Sequence, residues 1–300
     1  MRSILFRAAG VGIGVLCLTV SDVRAQQQMH LVASVVDDTG APVATFQPSD
    51  LQLFEDGAEA KVVKIEAIER PVRVQVLIDN GIGLGGLNLG HLRNGVRGLI
   101  EALPPGVEVT IVSTAPQPRF LVRATTDRAA MLKGLDLLSS DGGAGKFVDA
   151  LREASERIDK DKRDSSPVVI MSATTSGDRT FLERDVNEAM RRLQERSAVV
   201  HIVLFTGSSS QSGGVTQTNI GLAVTKLTGG RFETINEASR LAMLLPELGA
   251  QTAKLQEGRG RQFRITVARP PAATGAVGKL SVSARAGIAL TGATLEDTVH

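Results

Sequence analysis

Pro71–Gly86 reads PVRVQVLIDNGIGLGG. Val72, Val74 and Val76 alternate with polar residues, then Val76, Leu77 and Ile78 run on unbroken, the pattern of a strand covered on both faces. The strand ends on Asp79 and Asn80, and glycines follow at 81, 83, 85 and 86. Leu89, Leu92, Val96, Leu99, Ile100 and Leu103 then recur at three- and four-residue spacing, which predicts an amphipathic helix. Strand, acidic tip, glycine loop and helix is how an open α/β domain builds a site at the carboxyl end of its sheet.

Gly81-Ile82-Gly83-Leu84-Gly85-Gly86 also satisfies G-x-G-x-x-G, so a nucleotide-binding enzyme using the Gly81–Gly86 loop is one reading. That fingerprint wants an acidic residue at the end of the next strand, and Val107–Thr114 ends in Ser113 and Thr114. Gly143-Ala144-Gly145-Lys146 lacks the early glycine of a phosphate loop and has Phe147 in place of Ser/Thr, which predicts a helix start. His30, His91, His201 and His300 show no ligand spacing and read as surface or edge histidines. No G-x-S-x-G elbow is present, and no catalytic residue or cofactor is assigned.

Outward from the central stretch, strands and helices alternate. Val107–Thr114 and Arg119–Thr126 are separated by only Ala115–Pro118, too short for a parallel crossover, so they are predicted to pair antiparallel. Helices are predicted over Asp127–Leu138, Lys146–Asp159, Leu182–Arg196, about Thr218–Thr228 and about Asn236–Gln256, and strands over Pro167–Met171, Ala198–Phe205 and Arg231–Ile235. The Ser/Gly-rich loop Thr206–Gln217 reads as a surface loop. Right-handed crossovers turn this order into a doubly wound, mostly parallel central sheet with one antiparallel edge strand and helices on both faces. The flanking residues 29–70 and 259–297 read as short strands. Neither segment can bury a core alone, so the two are predicted to pack together as a β-sandwich-like unit.

Residues 1–25 read as a signal peptide. Arg2 and Arg7 precede an apolar stretch from Ala8 to Val20, and Val23-Arg24-Ala25 offers a small-residue cleavage site. The apolar run is short for a membrane span, which takes roughly 17–25 residues, so no membrane insertion is expected after cleavage. The predicted units are therefore 1–25 (leader), 26–70 (β segment), 71–257 (α/β domain) and 258–300 (β segment). Without the leader, 34 basic and 32 acidic residues become 31 of each. A neutral chain gives no electrostatic argument for nucleic acid. The single cysteine, Cys17, leaves with the leader. Nine Phe with no Trp or Tyr leave few stacking platforms for nucleic acid bases.

The string Asp37, Asp38, Gly40, Pro42, Val43 followed by Asp50-Leu51-Gln52-Leu53-Phe54-Glu55-Asp56-Gly57 resembles bacterial exported proteins related to the von Willebrand factor A-type domain. The strand ending in Asp79, the loop with Gly143 and Asp149-Ala150-Leu151, Val168–Ser172, Gly229-Gly230-Arg231-Phe232 and the strand around Gln262–Thr266 extend the resemblance over almost all of residues 29–290. It implies an A-type fold and a non-enzymatic protein-interaction role, periplasmic or secreted. A-type domains commonly hold Mg²⁺ on an Asp-x-Ser-x-Ser loop, a Thr from a second loop and an Asp from a third. Here those positions fall on Asp79, Gly81, Gly83, Gly145 (or Ala144) and Ala173, within Ser172-Ala173-Thr174, so the metal site reads as vestigial. A protein partner of unknown identity is then expected at the carboxyl edge, with Asp79, Asn80, Ser172, Thr174 and Asp178 as its contact residues. The alternative is a rearranged Mg²⁺ site rescued by Asp141 or Asp178.

Overall fold

The computed structural model describes residues 27–296 apart from 40, 42, 44, 162, 177–180, 208–213, 260 and 261. The predicted leader lies outside the described residues, as do Asp178 and the middle of the Thr206–Gln217 loop. Strand β4 (Val72–Ile78) is the centre of a six-stranded sheet. It pairs in parallel with β5 (Glu108–Ser113) on one side and β7 (Ser166–Thr174) on the other, with Val76 opposite both Ile111 and Ile170. β6 (Arg119–Thr125) closes one edge antiparallel to β5, while β8 (Val199–Phe205) and β9 (Phe232–Ile235) extend the other edge in parallel. The mixed, mostly parallel sheet expected from the short Ala115–Pro118 link is the one observed.

The alternation in β4 decides where each helix packs. Val72, Val74, Val76 and Ile78 face one core with Leu92, Leu99 and Ile100 of α1 (Leu89–Ala102), Met131 and Leu135 of α2 (Arg128–Asp136) and Leu244 and Leu248 of α6 (Leu241–Arg259). Leu77 faces the other core with Leu151 and Ile158 of α3 (Phe147–Lys160), Leu193 of α4 (Glu183–Glu195) and Val224 of α5 (Gly214–Thr228). Asp127 caps α2 as its position predicts, accepting from Ala129 N–H and Ala130 N–H at 2.8 and 3.2 Å. Two helix starts differ from expectation. α5 begins at Gly214, inside the Ser/Gly loop, and α6 is preceded by a 3-10 turn, Ala238–Arg240, and carries Pro246 within it. Propensity is a weak prior that tertiary packing overrides, and Leu241, Leu244 and Leu245 are buried on α6.

His201 departs from the surface reading. It lies in β8, 8 % exposed, and its Nδ1 accepts from Arg231 N–H at 3.1 Å. Burial, with Arg231 adding to it, pushes its imidazole down to about 4.

The two terminal segments share one antiparallel sheet in the order β11-β2-β3-β10-β1-β12. The strands are β1 (Gln28–Asp37), β2 (Leu51–Glu55), β3 (Ala58–Ile68), β10 (Gln262–Ala268), β11 (Leu280–Ala284) and β12 (Ile288–Glu296). β10 is threaded between β3 and β1, with Ile265 opposite Ile65 and Leu31. β3 pairs with β2 up to Ala60 and with β10 from Lys61 onward. The sheet curls until β11 approaches β12, and Leu31, Ala33, Leu53, Phe46, Phe263 and Ile265 fill its concave side. The Phe46 and Phe263 rings meet edge to face at 4.7 Å.

The Glu55-Asp56-Gly57 string has a structural cause. Glu55 and Arg269 form an ion pair, 3 % and 5 % exposed, with Arg269 Nε donating to both carboxylate oxygens at 3.1 and 3.0 Å. Gly278 N–H donates to Glu55 at 3.0 Å, and Arg269 also donates to Gln27 Oε1 and Gly275 O at 2.8 Å each. Arg269 holds the Glu55 carboxyl below the usual carboxylate range. Asp56 and Gly57, at φ of 49° and 84°, make the turn into β3.

Candidate functional site

The carboxyl ends of β4, β5 and β7 converge on Asp79. Its N–H continues the ladder to Ser172 O at 2.9 Å, which aims the side chain across the sheet toward β7. The carboxylate is 3 % exposed. Oδ1 accepts from Gly81 N–H at 2.9 Å, and Oδ2 accepts from Thr174 N–H at 3.1 Å and Thr174 Oγ1 at 2.7 Å. Burial pushes the Asp79 carboxyl up, and the three donors pull it partly back. The acid is therefore closed by its own domain.

Asn80 fastens the neighbouring loops. Its Nδ2 donates to Ser139 O at 2.8 Å, its Oδ1 accepts from Ala115 N–H at 3.2 Å, and its carbonyl accepts from Asp141 N–H at 2.8 Å. Asp141 turns inward on its own loop, where Oδ1 accepts from Gly143 N–H at 2.8 Å. Ile82 N–H donates to Gly143 O at 3.0 Å, so the glycine loop and the 139–145 loop lie against each other.

Two glycines show how tightly the floor is packed. A Cβ on Gly83 would stand 2.2 Å from Thr174 Oγ1, and a Cβ on Gly145 would stand 2.4 Å from the Asp79 carboxylate carbon and both of its oxygens. Magnesium needs near-octahedral oxygen coordination at about 2.0–2.1 Å. Side-chain ligands at positions 83 and 145 are shut out, because a Cβ there would collide with Thr174 or with the Asp79 carboxylate itself. The residues present do not fit a Mg²⁺ ion.

The expected contact residues need correction. Asp79, Asn80, Ser172 and Thr174 are 2–6 % exposed and form the floor of the site, because each satisfies backbone or side-chain partners within the domain. Asp178 lies outside the described residues. Among the described residues, several large apolar side chains on the segments at this edge are exposed instead. Ile82 is 64 % and Leu87 98 % exposed on the glycine loop after β4. Leu182 and Val215 are also exposed, at the starts of α4 and α5, which follow β7 and β8. Sequence reasoning passed over them because Ile82 and Val215 were counted in loops and Leu182 as the first residue of a helix, although Leu87, lying outside the α1 apolar stripe, was a legible sign.

Residues 76–178 match the von Willebrand factor type A domain family. Among solved structures, the chain is similar to a von Willebrand factor type A protein from Catenulispora acidiphila, with a TM-score of 0.54 and 13 % identity over 91 % of this chain and 74 % of that one. It is also similar to a conserved hypothetical protein, BatB, from Bacteroides thetaiotaomicron, with a TM-score of 0.47 and 13 % identity over 61 % of this chain and 99 % of that one. An aerotolerance-related membrane protein from Bacteroides fragilis gives a TM-score of 0.45 and 12 % identity over 60 % and 99 %. At 13 % identity the likeness to the Catenulispora acidiphila protein shows the fold alone. No curated protein matches the sequence significantly. No helix among the described residues is long and apolar enough to cross a membrane.

Proposed function

We propose that this chain, whose residues 76–178 match the von Willebrand factor type A domain family, is an exported, non-enzymatic protein-interaction module whose carboxyl-edge loops dock a protein partner without a bridging metal. Domains of this family generally mediate protein–protein interaction. The observation that carries the reading is the closed Asp79 carboxylate, whose two oxygens are engaged by Gly81 and Thr174. A face that offers no metal to a partner's carboxylate binds through its own side chains and backbone. Ile82, Leu87, Leu182 and Val215, exposed on segments that follow β4, β7 and β8, supply apolar contact to a partner. Export rests on the leader features of residues 1–25.

The test is capture of a binding protein from the native cell envelope, with the full mature chain as bait, in EDTA and in millimolar Mg²⁺. The same partner should be retained under both conditions and lost with the double variant Ile82→Glu, Leu87→Glu. Capture that depends on Mg²⁺, or that survives the double variant, contradicts the proposal.

A further inference from the structure

A second site lies at the opposite, amino edge of the α/β sheet, where it meets the terminal sheet. A pocket of about 270 Å³ is lined there by Arg70, Lys254, Ser165, Ser166, Ser34 and Gln262 among others, and no carboxylate is among its described lining residues. Arg70 is half-buried just before β4, and its Nε is buried with no hydrogen-bond partner. Lys254 projects from the last turns of α6. Among the described residues neither cation has an ion-pair partner. Two unopposed cations and a stranded guanidinium donor in a hydroxyl-lined pocket favour an oxyanion, for which Arg supplies directed donors and Lys a point charge.

Gln262 adds a requirement of the opposite sense. The residue is 7 % exposed, and its Oε1 is buried with no partner. The orientation of its amide follows from Ser34. The Ser34 hydroxyl hydrogen goes to Gly258 O at 2.7 Å, so the Gln262 atom 3.5 Å from Ser34 Oγ must be the donor Nε2. Oε1 is left as an acceptor with nothing to accept from. Leaving a buried acceptor unsatisfied costs stability, and a ligand hydroxyl fills it once the Gln262 amide turns into the pocket its residue lines. Donors and an acceptor in one pocket select a ligand that is both anion and hydroxyl donor.

We propose that this pocket binds a small oxyanion carrying its own hydroxyl, either hydrogen phosphate or a phosphorylated polyol. Arg70 and Lys254 hold the charge, and Gln262 Oε1 accepts from the hydroxyl. Because the pocket draws Ser34 and Gln262 from the terminal sheet and Ser165, Ser166 and Lys254 from the α/β domain, its occupant ties the two units together.

Calorimetric titration of the full mature chain at constant ionic strength tests this, with potassium phosphate, potassium sulfate and sn-glycerol 3-phosphate as separate probes. Saturable binding of one phosphate probe, at least tenfold tighter than sulfate, is expected, and the tighter of the two identifies the source. Lys254→Met, on an exposed helix position, and Arg70→Met should each weaken that binding at least tenfold while both variants unfold at the wild-type temperature without ligand. Absence of saturable binding by both phosphate probes, or unchanged affinity in both variants, overturns the site. Sulfate binding as tight as phosphate, with Gln262→Leu without effect, overturns the role given to the acceptor.

Discussion

His201 gives the protein a measurable acid sensitivity. In the folded state its ring is buried in β8, accepts from Arg231 N–H through Nδ1, and protonates only near pH 4. In the unfolded chain it protonates near its ordinary 6.5. Between those values the unfolded state binds more protons, so stability is fully present above about 6.5 and is lost as pH falls toward 4. At about 1.36 kcal/mol per pH unit, that interval corresponds to about 3 kcal/mol. His201→Asn places an amide oxygen near Nδ1, keeps an acceptor for Arg231 N–H and does not titrate. Urea unfolding followed by circular dichroism at pH 7.5 and pH 4.5 should show wild type losing about 2–3 kcal/mol more than the variant. Acid effects from other groups are shared by both proteins and cancel in the comparison. Losses that agree within about 0.5 kcal/mol would refute the reasoning.

Asp79→Ala strands Gly81 N–H and Thr174 N–H beside a new void. Relief of the buried charge offsets part of that cost, and a loss of about 2–3 kcal/mol is expected, identical in EDTA and in millimolar Mg²⁺. Dependence on Mg²⁺ in that measurement counts against the closed site. Gly145→Thr, which places a hydroxyl beside Asp79, should destabilise by about 1–3 kcal/mol through overpacking against Asp79 and create no Mg²⁺ heat in calorimetry. Glu55→Gln leaves Arg269 as a buried unpaired charge and should cost about 3–5 kcal/mol by urea unfolding at pH 7. Since Arg269 holds Glu55 below 4.5, the pair contributes above that pH, and the gap between wild type and variant should shrink as pH falls through the depressed value. A gap constant down to pH 3 contradicts the assignment.

The fold was legible wherever periodicity carried it. The run Val72–Ile78 and the three- and four-residue spacing of Leu92, Val96 and Leu99 each admit one arrangement of faces. The short Ala115–Pro118 link fixed the antiparallel edge. That Gly81, Gly83 and Gly145 carry no hydroxyl was visible in the string. What replaced the hydroxyls was not, since Thr174 reaches Asp79 across 95 positions of chain. The same holds for Glu55 and Arg269, 214 positions apart, and for His201, whose burial depends on β9 and the Arg231 backbone. Local pattern specifies faces, whereas closure of polar groups is decided only after the chain has folded.

The threading of β10 between β3 and β1 makes the α/β domain a guest in someone else's hairpin. Ile68 and Gln262 stand opposite each other in the ladder, so the chain departs and returns at neighbouring points. Just inside that gap, Gln256 Oε1 accepts from Val72 N–H at 2.6 Å and pins the two crossings together. An isolated β3–β10 ladder would have to close a loop the length of a domain before its first hydrogen bond formed. Here the domain closes that loop by folding, and its docked ends deliver β3 and β10 to each other. Connectivity therefore predicts an order in which the guest folds first and the host sheet zips shut behind it, and pulse-labelling hydrogen exchange that protects β3 and β10 before β4 during refolding contradicts it.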